Sequence, residues 1–216
     1  MDIGKNITSL LGKLPSTVEL VAVSKTKSNE EILEAYNAGQ RKFGENKIQD
    51  MTRKYETLPK DIQWHMIGHV QSNKVKYMAP YVSLIHGVDS LKLLKEINKQ
   101  AQKNNRIIDC LLQIHIAKEE SKYGLSVQES QQAVKIANEL PHLRIKGLMG
   151  MATFTEDQKQ IEREFAGLKS LYDQYIEQKI PLKVLSMGMS GDFLIAIEQG
   201  SNMIRVGSKI FGPRNY

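Results

Sequence analysis

An apolar run, Leu20-Val21-Ala22-Val23, ends in Ser24-Lys25. Side chains alternate along a strand, so Val21, Val23 and Lys25 share one face. If that face turns to an interior, the lysine is partly desolvated. Its pKa then falls, and the neutral amine can form an imine with a carbonyl. A lysine snorkelling at a strand end is the plainer alternative. Far along the chain, "SMGMSGD" (Ser186–Asp192) and "RVGS" (Arg205–Ser208) combine glycines with hydroxyl side chains. Gly188, Ser190 and Gly191 on one side, with Gly207 and Ser208 on the other, could cradle a phosphate or merely make tight turns. A lysine facing a phosphate site suggests an aldehyde that carries a phosphate. Pyridoxal 5'-phosphate (PLP) leads, and a sugar-phosphate aldolase competes. Arg205 bears on the choice. Beside a pyridine nitrogen it would donate a hydrogen bond and leave that nitrogen unprotonated, weakening the ring as an electron sink. In an aldolase it would bind a second phosphate or a carboxylate. The residues by themselves leave both open.

Short apolar runs that read as strands must position these groups: "LVAVSK", "RKFGEN", "IQWHMIG", "VSLIHGVD", "IIDCLLQIHI", "IKGLMGMA", "KVLSMGMS" and "MIRVGSKIFG". Between them lie segments with helical spacing, such as "EEILEAYNAG", which places Ile32, Leu33 and Tyr36 on one face and stops at Gly39. Ser28 with Glu31, Ser126 with Glu129 and Thr155 with Gln158 have capping-box spacing. Alternating strands and helices imply parallel βαβ units. Eight of them predict a single (β/α)₈ barrel domain spanning residues 1–216, with an extra N-terminal helix, "ITSLLGKL", expected to close its bottom. An open doubly wound sheet would want a Gly-rich turn after an early strand, and "SKTKSNEE" contains no glycine. Barrel active sites form at the C-terminal ends of strands. There the chain presents Lys25, Glu45-Asn46, His65 to His69, Ser186–Asp192 and Arg205–Ser208.

Composition narrows the class. With 41% hydrophobic and 25% charged residues, neither disorder nor a fibre is suggested. The formal charge of +6 is spread along the chain without a basic block, so no nucleic-acid partner is expected. Cys110, the single cysteine, lies in an apolar run and reads as a buried hydrophobe. It allows no internal disulfide, which fits a reducing compartment. No signal sequence or membrane-length apolar stretch is evident, and a cytoplasmic location is expected. His65 and His69 straddle Gly68 on a strand end with no glutamate after His65, so no zinc site is expected. His65 is placed at the pocket mouth, with a packed ring bonded to a neighbour as the alternative. Met149, Met151, Met187 and Met189 recur at period two and read as core, with one of them packed against a cofactor ring as the alternative. Residues 118–122 read as a polar loop without catalytic role.

The motifs follow one another in a recognisable order: "AVSKTK", "FGENKIQD", "WHMIGHVQSNK", "EESKYGL", "GLMGMA", "SMGMSGDF" and "IRVGSKIFG". From about Leu20 onward the chain resembles the pyridoxal phosphate homeostasis proteins, relatives of the alanine racemase N-terminal barrel. The resemblance implies that Lys25 is the Schiff-base lysine, that Asn46 lies near the cofactor ring and that Arg205 faces the pyridine nitrogen. It places Ser186, Ser190, Gly207 and Ser208 around the phosphate. Ser208 stands where the family often has threonine, and the hydroxyl is kept. The segment before the first strand is shorter than in many relatives. The resemblance further implies a monomer that binds PLP and other B6 vitamers, keeps vitamin B6 and dependent amino-acid pools in balance, and has PLP-dependent apo-enzymes as partners. A racemase needs a further domain and an acid/base residue opposite the lysine, and none is expected within the 216 residues. A non-catalytic carrier is therefore expected. The alternative is a PLP-dependent amino-acid racemase or lyase.

Overall fold

The computed structural model describes residues 2–119 and 122–213. Eight parallel strands close into a barrel in sequence order. They are β1 (Glu19–Val23), β2 (Lys42–Glu45), β3 (Gln63–Met66), β4 (Leu84–Val88), β5 (Ile108–Gln113), β6 (Leu143–Met149), β7 (Val184–Ser186) and β8 (Met203–Val206). A helix α1 (Ile3–Leu11) precedes them, and α2 (Asn29–Asn37), α3 (Ile48–Thr57) and α4 (Val75–Met78) follow the first three strands. The outer ring continues through α5 (Leu91–Lys103), α6 (Val127–Ala137), α7 (Gln158–Glu177), α8 (Phe193–Glu198) and α9 (Ser208–Phe211). Closure comes from β1 pairing with β8, with Val21 in register with Arg205.

Strands buried on both faces need apolar residues on both. Outward, Phe43, Trp64, Ile85, Leu112, Leu148 and Ile204 pack under the helices. Inward, Val21, Leu84, Leu111, Met149 and Met203 form a smaller apolar cluster. The interior is not wholly apolar, because His65, His86, Ser186 and Arg205 are all buried as well.

Two of the three expected capping boxes form. Ser28 and Ser126 each accept from the backbone three residues on, while Glu31 and Glu129 reach back to the cap N–H. The third does not. Asp157 caps α7 by accepting from the Gln160 N–H, and Thr155 accepts instead from the Asp157 N–H. A carboxylate one residue ahead of the helix displaces the more distant hydroxyl. Replacing Ser126 by alanine should cost about 1 kcal/mol, read as a lowered urea midpoint at unchanged slope.

The extra helix departs from expectation in placement. α1 packs against α2 and α9 in the outer ring rather than across the bottom. Its backbone at Ile3 donates to Glu34, and Asn6 donates to the Ile210 carbonyl. Among the described residues, no helix is long and apolar enough to cross a membrane.

Candidate functional site

The C-terminal strand ends surround a cavity of about 420 Å³. Val23 and Lys25 continue the inward face of β1, Asn46 that of β2, and Met151 that of β6; Gln113 ends β5. Arg205 in β8 lines it from below, and Ser190, Gly191, Gly207 and Ser208 form one rim. Barrel closure brings residues from opposite ends of the chain together. Beyond the Val21–Arg205 register, a Cβ on Gly207 would lie 3.3 Å from Val23 Cβ. Lys25 therefore emerges beside the Gly207-Ser208 turn.

That rim is internally fixed. The Gly207 N–H donates to Ser190 Oγ at 3.2 Å, and the Met189 N–H donates to the Asp192 carboxylate at 2.6 Å. Gly188 holds φ 91°, which a side chain rarely tolerates. A Cβ there would also come within 2.7 Å of Ala196 Cβ. The glycine thus serves the turn that carries Ser190.

Arg205 is 4% exposed. Its guanidinium donates to Ser186 Oγ at 2.5 Å and to the Gly150 carbonyl at 3.1 Å. Burial lowers its pKa to about 10, opposed by the charge of Asp192, so it stays cationic at neutral pH. Two wall contacts leave other N–H groups of the fork for the cavity.

Of the residues singled out from sequence, Lys25, Asn46, Ser190, Arg205, Gly207 and Ser208 line this one cavity. Ser186 and His65 do not; both lie deeper. Ser186 is fully buried beneath Arg205, with its Oγ 3.3 Å from His86 Nδ1. The other nitrogen of His86 is 3.0 Å from His65 Nδ1. His65 lines a different cavity at the opposite mouth of the barrel, with Lys42, Asp109 and Lys183. It is therefore not at the pocket mouth. Burial, with Lys42 nearby, lowers its pKa to about 3. Burial likewise holds His86 well below the ordinary histidine value, and His65 and Arg205 add to the effect.

Several further residues line the cavity. His69 lines the mouth, its Nδ1 2.8 Å from the Asp89 carboxylate and its ring stacked on Tyr123 with centroids 4.0 Å apart. Tyr123 is held from below, where Gln113 donates to its carbonyl. Lys27 also lines the cavity and donates to Glu31 and to the Phe211 carbonyl. Tyr123 follows the polar loop of residues 118–122; Glu120 and Ser121 of that loop lie outside the described residues. Met151 and Met189 border the cavity, whereas Met149 and Met187 are buried core. His65 and His69 have separate partners, and among the described residues no three His, Cys, Asp or Glu side chains cluster to hold a metal. Cys110 is buried, and burial pushes its thiol pKa up, which leaves it unreactive.

Behind Lys25, outside the barrel, the Glu45 carboxylate accepts from Ser24 Oγ at 2.5 Å and from Lys54 Nζ at 2.7 Å. Lys54 also donates to the Ser24 carbonyl at 2.8 Å. The backbone next to Lys25 is thus clamped from the helix side.

A family model described as alanine racemase, N-terminal domain, matches residues 2–215. A pyridoxal phosphate homeostasis protein of Aquifex aeolicus (strain VF5) is 39% identical over 207 residues, covering 95% of this chain and 91% of its own. The structure of PipY from Synechococcus elongatus PCC7942, solved with PLP bound, matches with a TM-score of 0.90 at 33% identity. That match covers 97% of this chain and 100% of PipY. An alanine racemase of Clostridium difficile 630, 12% identical with a TM-score of 0.84, shares the fold. The match covers all of this chain and 57% of the racemase. By sequence and by fold, the chain belongs to the pyridoxal phosphate homeostasis protein family, built on the barrel of the alanine racemase N-terminal domain.

Proposed function

We propose that this protein binds pyridoxal 5'-phosphate as a Schiff base on Lys25 and serves vitamin B6 homeostasis as a carrier. One observation carries the reading. Barrel closure sets Lys25 beside a rim of hydroxyls and backbone N–H groups, with the buried cation Arg205 beneath. The donor set fits the group: Ser190, Gly207 and Ser208 suit a phosphate, Asn46 suits the ring edge, and Arg205 suits an unprotonated ring nitrogen. PipY, a relative of similar length, was solved with PLP bound. Bound PLP supplies an aldehyde carbon for the lysine and an electron-withdrawing ring. Arg205 limits that withdrawal, because a guanidinium can only donate to the ring nitrogen and gives it no proton. Ser186 belongs to the support of Arg205 rather than to the phosphate rim.

The same reading makes the protein a cytoplasmic monomer that exchanges PLP and other B6 vitamers, with PLP-dependent apo-enzymes as recipients. A lone cysteine without an internal disulfide suits that compartment. Turnover as a racemase or lyase is favoured by one observation, the His69–Asp89 pair at the cavity mouth. Incubating holoprotein with L- and D-amino acids in deuterated water separates the two. The carrier reading expects no more than about one solvent deuteron at Cα per site, whereas exchange through many turnovers would establish an enzyme.

A further inference from the structure

We infer that His86 and His65 are positioning residues for Arg205, acting through a one-way chain of hydrogen bonds down the barrel interior. The chain runs Arg205, Ser186, His86, His65, over contacts of 2.5, 3.3 and 3.0 Å. No member is more than 4% exposed.

Its sense follows from the first member. A guanidinium has no acceptor, so Ser186 Oγ must accept from Arg205. The hydroxyl hydrogen then needs an acceptor, and the other contact of that oxygen is His86 Nδ1. A neutral His86 that accepts at Nδ1 carries its proton on Nε2 and donates it to His65 Nδ1. His65 must carry its own proton on Nε2, on the side of the lower cavity that it lines. One obligatory donor therefore sets a hydroxyl rotor and two tautomers. Burial beside Arg205 and Lys42 keeps both rings neutral, as the chain requires.

The function of the chain is to keep the Ser186 lone pair aimed at the guanidinium, and thereby to hold the fork of Arg205 in the attitude it presents to the cavity. An apolar group in place of His86 would leave a buried hydroxyl hydrogen without an acceptor. The hydroxyl would turn, and Arg205 would lose a fixed contact. The inference rests on Arg205 facing the ring of bound PLP, but the hydrogen-bond chain itself needs no ligand.

Two measurements test it. Long-range ¹H–¹⁵N correlation spectra of histidine-labelled apoprotein at neutral pH should show His65 and His86 both neutral with the proton on Nε2. Either ring found as Nδ1–H, or as an imidazolium, overturns the chain. With PLP bound, His86→Leu should weaken affinity by roughly tenfold and shift the pH midpoint of the Schiff-base absorbance. His86→Asn, whose amide oxygen can stand in for Nδ1, should restore both. A wild-type midpoint in His86→Leu, or identical behaviour of the two variants, overturns the positioning role. If PLP attaches to another lysine, the proposed site fails while the spectra of the apoprotein still decide the chain.

Discussion

Replacing Lys25 with alanine should abolish the Schiff-base absorbance that appears when the protein is mixed with PLP. The expectation follows from strand register rather than from lysine content. β1 turns Val21 and Val23 inward, and Lys25 continues that face at the working end, next to Gly207 and Ser208. Lys27 also lines the cavity, but its ammonium is engaged by Glu31 and by the Phe211 carbonyl. Lys27→Ala should therefore keep the band. Borohydride reduction followed by peptide mapping should place the adduct on Lys25 in the wild-type protein. An adduct on Lys27, or undiminished absorbance in Lys25→Ala, would remove the lysine from its assigned role.

The largest stability effect is expected away from the cavity. Lys54→Met should cost about 3–5 kcal/mol in urea denaturation, because it strands a buried carboxylate. Glu45 is fully buried, and its second oxygen, Oε2, already has no partner. Burial raises the Glu45 pKa above its ordinary 4.5, against the lowering influence of Lys54 and Ser24. The folded protein thus binds a proton more readily at this group than the unfolded chain does. The contribution of Glu45 to stability is therefore fullest below about 4.5 and is lost as pH rises through the raised folded value. Without Lys54 the carboxyl becomes still harder to ionise. The deficit of the variant relative to wild type should accordingly shrink on acidification, and adding Glu45→Gln should recover part of it. A deficit independent of pH would mean that lost packing of the lysine stem, not a stranded charge, sets the cost.

Much of this architecture was legible because a parallel barrel writes itself as apolar runs alternating with amphipathic segments. All eight runs became strands, and Lys25, Asn46, Ser190, Arg205, Gly207 and Ser208 came together as their strand ends implied. What alternation does not encode is depth. Ser186 and Arg205 share the inward face of neighbouring strands, yet Ser186 pairs in register with Met203, a full alternation below Arg205. Barrel shear decides which layer an inward residue occupies, and shear is set by pairing between strands distant in sequence. His65 sank to the far side of the barrel for the same reason. His86 was visible as a histidine inside the apolar run "VSLIHGVD", but its partner His65 lies on another strand. The Glu45–Lys54 clamp was hidden because its members sit on a strand and on the following helix, with no local spacing rule to join them.

The seam between β1 and β8 also governs when the pocket can exist. Lys25 is made early and Arg205 and Ser208 late, so most of the chain must leave the ribosome before the first strand meets its last neighbour. Until then the lysine has no rim beside it, and Arg205, its floor, has not been synthesised. A polypeptide interrupted before residue 203 lacks Arg205, Gly207 and Ser208, and with them the floor and part of the rim of the cavity. The proposed capture of the cofactor would thus depend on the joint in the barrel that translation closes last.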